Sequence, residues 1–294
     1  MPINFRPASY GSTQRDAFAE DALGRGLPLN ATIVDRENLN DGLARFVVRL
    51  DGWQVKPFEP GQYADLALQP RNLERQSVPL SSLPTAFEQT RRSYSIASTP
   101  QHLDRLEFLF NLVPSGTFTP TLWRLDEGDR LHTDPRIRGR FTLREIPEDA
   151  NLLMIATGTG MAPFISIVRQ YAGTGRWSRA TLLHVVRHQR DLAFTAELDA
   201  LAEKDPVFSV IRSVTRSKEE NEEWNGLSGR PQALLADGSL EQAAGFPLDP
   251  ESNTHVMLCG NPGMIQVMLS LLQDRGFTLR AENHPGTLHT ESYW

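Results

Sequence analysis

The sequence predicts two domains in series, an antiparallel β-barrel followed by an α/β unit built on a parallel sheet. Three observations carry this reading. The length of 294 residues suits about two domains. Up to about residue 145, short β-branched and aromatic runs alternate with turns, with little helical periodicity. Beyond that point buried strands alternate with helices, which implies a parallel sheet covered on both faces.

Residues 1–29 are polar and glycine-bearing, with a short helical pattern around Asp16–Leu23, and read as an extension. The barrel follows over residues 30–148. "ATIVD", "LARFVVRL" and "QYADLAL" are strand-like, and "FEPGQY" is a turn before the third of them. Residues 70–91 hold three prolines and many polar residues, and read as a long loop. "RRSYSIAS" and "DRLEFLFNLV" return to strand texture. The second domain, 149–294, opens with the buried strand "NLLMIATGTG" and the helix "MAPFISIVRQYA". It continues through "ATLLHVV" (strand), "TAELDALAEK" (helix), "VFSVIRSV" and "HVMLCG" (strands) and the helix "MIQVMLSLLQDRG", which Gly276 closes. No internal repeat is visible.

Composition removes several classes of function. A net charge of -6 argues against a chain that coats nucleic acid or anionic membrane. One cysteine, Cys259, allows no internal disulfide, no cysteine-ligated zinc site and no four-cysteine iron–sulfur cluster. His184, His188 and Glu197 lack metal-ligand spacing, so no metal site is expected. No apolar run approaches the roughly 20 residues of a membrane span. The first residues lack the apolar core of a secretory signal. The expectation is a cytoplasmic protein that binds neither nucleic acid nor membrane.

The chemistry concentrates in a few stretches. In "ATGTGMAP" a buried strand runs through Thr157-Gly158-Thr159-Gly160 into a helix that starts near Ala162-Pro163. Glycines let backbone approach a bulky anion, and a helix N-terminus offers unpaired N–H groups to a pyrophosphate. The same glycines would equally serve a turn that needs them for geometry alone, and the G-x-G-x-x-G fingerprint is absent. "CGNP" sets Cys259 at the carboxyl end of a parallel strand, where ligands bind in open α/β sheets. A lone cysteine is more often core than nucleophile, and no local histidine would activate it. Arg187, Arg216 and Arg230 each follow a strand or turn. Singly each reads as a solvated surface residue; together they could clamp a phosphate monoester.

"RRSYS" is the most pointed stretch of the barrel. Period-two geometry puts Arg92 and Tyr94 on one face of a strand, with Ser95 at its edge. An arginine for a pyrophosphate, an aromatic for a flat ring and a hydroxyl for a ring nitrogen suit a flavin dinucleotide. An ordinary strand with a half-buried tyrosine is the plainer reading.

Taken in order, "RRSYS", "GTGMAP", "CGNPGM" and a terminal acid-x-aromatic resemble the ferredoxin–NADP reductase family. "SGTFTPTLW" and "ESYW" resemble its bacterial flavodoxin- and ferredoxin-reducing branch. The resemblance covers roughly residues 30–294; the extension and the loop 70–91 depart from the short bacterial pattern. It implies FAD in the barrel, NADP on the α/β domain, and hydride transfer between NADPH and the flavin. Single electrons would pass to or from a separate ferredoxin or flavodoxin, since one cysteine cannot house a fused cluster.

The resemblance also implies roles. Arg92 contacts the FAD phosphates, Tyr94 packs on the flavin, and Ser93 and Ser95 complete that strand, Ser95 near the ring nitrogen. Gly116, Thr117, Phe118 and Thr119 cradle the pyrophosphate. Gly158, Thr159 and Gly160, with Gly260, Asn261, Pro262 and Met264, surround the nicotinamide, and Cys259 lines its pocket. Val186, Arg187, Thr215, Arg216 and Arg230 take the 2′-phosphate end of NADP. Glu291 moves a proton through Ser95, making Ser95, Cys259 and Glu291 the catalytic set. Tyr293 covers the second flavin face and Trp294 the adenine. Two other readings remain: a reductase for another acceptor, such as an oxygenase's separate ferredoxin, and a non-catalytic flavin-binding subunit. Turnover with NADPH separates the second from the enzyme readings, and a colourless protein would mean a nucleotide scaffold without flavin.

Overall fold

The computed structural model describes residues 27–68, 90–217, 219, 223–281 and 284–292. The first domain is built on strands β1 (Ala31–Asn40), β2 (Leu43–Leu50), β3 (Tyr63–Leu68), β4 (Thr90–Ser95), β5 (Arg105–Asn111) and β6 (Arg130–Thr133), with one short helix, α1 (Thr119–Leu122). They form a six-stranded antiparallel sheet in the order β4-β3-β6-β1-β2-β5. The sheet curls on itself. Just past β4, Ala97 N–H donates to Glu107 O of β5 at 2.8 Å, bringing the two outer strands together. Alternation along β2 turns Ala44, Phe46 and Val48 inward, where they meet Phe108 and Phe110 of β5. Burying such large side chains contributes about 1.5–3 kcal/mol each.

The run "RLHT", too short to carry a strand period, forms β6 between β1 and β3. The loop assigned to 70–91 ends earlier, because Thr90 and Arg91 already pair with Leu68 and Ala67.

The second sheet is parallel and five-stranded, in the order β11-β10-β7-β8-β9. Its strands are β7 (Asn151–Thr157), β8 (Arg179–Val186), β9 (Phe208–Val214), β10 (Thr254–Gly260) and β11 (Leu288–Ser292). Helices α2 (Met161–Tyr171) and α3 (Thr195–Lys204) cover one face. The other carries α4 (Pro231–Ala236), α5 (Ser239–Ala244) and α6 (Pro262–Gln273). The strands show why both faces are covered: Leu152, Met154 and Ala156 of β7 point into one core, Leu153 and Ile155 into the other. The first of these cores also takes in Leu43, Ala97, Leu109 and Phe141 from before β7, so the two sheets share one hydrophobic junction.

Helices α4 and α5 are six residues each, too short to show a helical period in the sequence. The chain's last described segment is an edge strand, in which Glu291 lies opposite Cys259. Tyr293 and Trp294 lie outside the described residues, as do residues 1–26 and most of the loop 70–91. Among the described residues no helix is long and apolar enough to cross a membrane.

Candidate active site

The parallel sheet reverses its winding between β7 and β10, and the carboxyl ends of open α/β sheets bind ligands at such a point. Here the two strand ends are locked together. A side chain on Gly160 would begin 2.4 Å from Cys259 O. Gly260 has φ of 127° and space for a side chain only 2.2 Å from Thr157 Oγ1, so any other residue would force the strands apart. That hydroxyl accepts from Asn261 N–H at 2.8 Å. Asn261 Oδ1 in turn accepts Met264 N–H at 3.1 Å, capping α6, whose first residue is Pro262. His184 is fully buried beneath the turn and donates from Nε2 to Gly158 O at 3.2 Å. Burial lowers its pKa to about 4, so it is a neutral strut.

A cleft of about 1520 Å³ runs from this crevice to the barrel. On the barrel side it is walled by β4. Arg92 and Ser93 are exposed, Tyr94 half-buried and Ser95 buried. The Tyr94 ring stands edge-on to Phe110 with centroids 4.6 Å apart and tilts against Phe118 at 5.4 Å. Burial drives its phenol well above the usual range, so it stays neutral. Beside it, Gly116 and Thr117 are exposed along the cleft while Phe118 and Thr119 are buried. Two hydroxyls brace that turn: Thr119 Oγ1 accepts Val113 N–H at 2.9 Å, and Thr121 Oγ1 donates to Thr117 O at 3.1 Å.

Ser95 faces the other way, toward the second domain. Its hydroxyl donates to Glu291 Oε2 at 2.7 Å, across a separation of 196 residues. Strand β11 delivers that carboxyl. Burial raises its pKa to about 7, against the opposing effect of the Ser95 hydrogen bond. A carboxyl poised there exchanges protons at neutral pH.

At the far end, Val186, Arg187, Thr215, Arg216 and Arg230 all line the same cleft. Arg216 N–H donates to Arg187 O at 2.9 Å, setting the ends of β8 and β9 side by side. Ser213 Oγ donates to Gly229 O at 2.8 Å, which anchors the neighbour of Arg230.

Gly158, Thr159, Gly260, Asn261 and Met264 join this wall, whereas Gly160 and Pro262 stand behind it. Cys259 also differs from expectation. It is 0% exposed, belongs to the core beneath α2 and contributes nothing to the wall. Strand alternation turns it inward, and Gly260, itself buried, is the residue that reaches the cleft.

The sequence reading missed a second layer of the barrel wall. Asp65 and Asp134 are 6% and 1% exposed. Arg91 and Arg138 each bridge both aspartates; the contacts to Asp134 are 3.1 Å. Arg136 reaches Asp134 at 3.4 Å, and Ser93 Oγ bonds Asp65. Tyr63, Asp65 and Arg91 all line the cleft. The signal was an aspartate in the middle of the apolar strand "YADLAL". No group of three or more His, Cys, Asp or Glu side chains that could hold a metal occurs among the described residues.

Comparison with known proteins matches residues 154–269 to the oxidoreductase NAD-binding domain family. The flavodoxin/ferredoxin--NADP reductase of Buchnera aphidicola subsp. Schizaphis graminum is 30% identical over 267 residues, covering 90% of this chain and 98% of that protein. The protein of the same description in Escherichia coli K12 is 32% identical over 88% of this chain and 95% of its own. A ferredoxin NADP+ reductase from Neisseria gonorrhoeae, solved with bound FAD and NADP, superposes with a TM-score of 0.76 at 27% identity. That alignment covers 90% of this chain and 98% of the other.

Proposed function

This chain belongs to the bacterial-type flavodoxin/ferredoxin–NADP reductase family, and from that premise we propose how its residues divide the work. It is an FAD-dependent oxidoreductase that exchanges a hydride with NADP(H) and electrons with a flavodoxin or ferredoxin. The observation that carries the assignment of roles is one continuous cleft. It joins the wall of Arg92, Tyr94 and Ser95 to the rim of Arg187, Arg216 and Arg230, with the Ser95–Glu291 bond where the domains meet.

The residues present fit both dinucleotides. The barrel end offers a pinned aromatic ring, an exposed guanidinium and an exposed glycine turn. The sheet end offers three arginines beside a crevice too tight for side chains at Gly160 and Gly260. Bound FAD supplies the switch between two-electron and one-electron chemistry, and the protein supplies orientation and electrostatics.

In this reading residues 30–148 form the FAD domain, 149–294 the NADP domain, and 1–29 an extension. Arg92 and the turn Gly116, Thr117, Phe118 and Thr119 hold the FAD phosphates. Tyr94 supports the flat ring, with Ser93 tied to the aspartate layer behind it. Gly158, Thr159, Gly260, Asn261 and Met264 shape the nicotinamide pocket, with Gly160, Cys259 and Pro262 bracing its floor. Arg187, Arg216 and Arg230, beside Val186 and Thr215, take the 2′-phosphate end. Glu291 Oε2 and Ser95 Oγ hold and move the proton. Below about pH 7 the carboxyl carries it; above, it accepts the Ser95 hydrogen bond as an anion.

The test is direct. The purified chain is expected to be yellow, with one non-covalent FAD, and to reduce a flavodoxin or ferredoxin of its own organism at the expense of NADPH. A colourless protein, a bound FMN, or a flavin that NADPH leaves oxidised would overturn the reading.

A further inference from the structure

Helix α2 begins where the Gly158–Gly160 turn ends. Its buried face carries two polar residues one turn apart, Ser166 and Arg169, and positions three apart share one face. Both grip the segment that leaves β4 just after Ser95. Ser166, 0% exposed, donates from Oγ to Ser98 O at 2.7 Å. Arg169 Nη1 donates to Ala97 O at 2.9 Å. The gripped segment is itself fixed to the barrel, since Ala97 N–H donates to Glu107 O at 2.8 Å and Glu107 N–H to Ser98 Oγ at 3.1 Å.

Arg169 is held from three further sides. Glu197 of α3 takes its Nε and Nη2 at 2.7 and 2.8 Å. Glu107 of β5 takes Nη1 at 3.1 Å, and the guanidinium lies 5.1 Å from the Phe194 ring centroid. Replacing a buried ion network by apolar residues often leaves stability unchanged or improved, so stability alone does not explain this one. What directional bonds to two successive carbonyls add is register. An apolar junction can slide; a fork and a hydroxyl seated on Ala97 O and Ser98 O cannot without breaking.

We propose that Ser166 and Arg169 are positioning residues for hydride transfer. They make α2 a strut between the two reacting sites. Its N-terminus carries the turn of Gly158 and Thr159, and about 12 Å along its axis it fixes the chain two and three residues past Ser95. The gap between nicotinamide and flavin is thereby set by one helix rather than by the pliancy of a domain junction. This rests on the assignment of those two sites under Proposed function.

The variants are Ser166→Ala, Arg169→Lys and Arg169→Met. Arg45→Met serves as the comparator, because Arg45 pairs with Asp35 and Glu37 within the barrel alone. FAD content, NADP affinity by titration, melting temperature and amide exchange at Ala97 and Gly160 are measured beside the stopped-flow rate of flavin reduction at saturating NADPH. Ser166→Ala and Arg169→Lys are expected to keep FAD and NADP affinity, exchange faster at Ala97, and lose about tenfold or more in reduction rate. Arg45→Met is expected to melt earlier and reduce at the parental rate. Parental rates in Ser166→Ala and Arg169→Lys, or losses no greater than those of Arg45→Met, would overturn the proposal. Ser166→Ala keeps the test open even if Arg169→Met does not fold. A parent without FAD, or one that NADPH does not reduce, would instead overturn the assignment of the sites.

Discussion

The two ends of the cleft are built differently. At the barrel end Tyr94, Arg91 and Ser93 are fixed from behind, while Arg92 stands exposed with Nη1 donating to Arg91 O at 2.7 Å. Tyr94 is wedged by Phe110 and Phe118, and Arg91 and Ser93 are tied to buried aspartates. At the rim of the parallel sheet the arginines stand in solvent. Among the described residues no carboxylate pairs with Arg187 or Arg230, and Arg216 reaches only the exposed Glu219, at 3.4 Å. Rigid, pre-fixed groups cost little ordering entropy on binding and favour slow release. Exposed arginines give charge-assisted contacts but must be ordered each time a ligand arrives. The difference suits a resident cofactor at one end and an exchanging coenzyme at the other.

The largest effect is expected at the rim. Each charge-assisted contact to a phosphate is worth about 1.5–3 kcal/mol. Replacing Arg216 and Arg230 together by Ala should therefore cost two orders of magnitude or more in kcat/KM for NADPH, and leave NADH nearly unchanged. Steady-state kinetics with both coenzymes decide it. Equal losses would make these arginines structural and remove the contrast.

The barrel end should fail in another way. Asp134→Ala leaves Arg91 and Arg138 sharing Asp65 and removes the carboxylate that Arg136 reaches. Breaking a buried ion network costs about 3 kcal/mol, less here because the arginines are about one-third exposed or more. Urea denaturation should show the lost stability and dialysis a faster loss of FAD, while the preference for NADPH over NADH stays as in the parent. A changed coenzyme preference would mean that the two ends are not separate.

A pH-dependent effect tests the point where the ends meet. Burial holds the Glu291 carboxyl protonated up to about pH 7, while in the unfolded chain it ionises near 4.5. A raised pKa contributes stability that is complete below the unfolded value and is lost as pH rises through the folded one. Relative to Glu291→Gln, the parent should therefore lose melting temperature between about pH 4.5 and 7. The same substitution should flatten an inflection near pH 7 in acceptor reduction. Parallel melting curves across that range would show that the carboxyl is solvated.

Much of this was legible in the sequence because it rests on local physics. Alternation in "LARFVVRL" and buried runs such as "NLLMIAT" mark strands whatever surrounds them, and the order of strand and helix fixes a parallel second sheet. The glycines of "GTG" marked a close approach of backbone, while the tight approach at Gly260 needed the neighbouring strand. Alternation along "RRSYS" put Arg92 and Tyr94 on one face, and the turn with Thr159 and the position of Arg187 followed from where strands end. Other features had no local signature. Four residues of "RLHT" are too few to carry a period, and β6 exists because β1 and β3 leave a place between them. The direction of Cys259 depends on which face of β10 meets α2. The aspartate layer brings Asp65, Arg91 and Asp134 together from three different segments. The bond between Ser95 and Glu291 spans nearly the whole chain, and the grip of Arg169 on Ala97 crosses from one domain to the other. A sequence determines propensities and periods over a few residues at a time. Which polar groups meet, and how far burial moves a carboxyl's pKa, is decided only when distant segments close around one volume and exclude water from it.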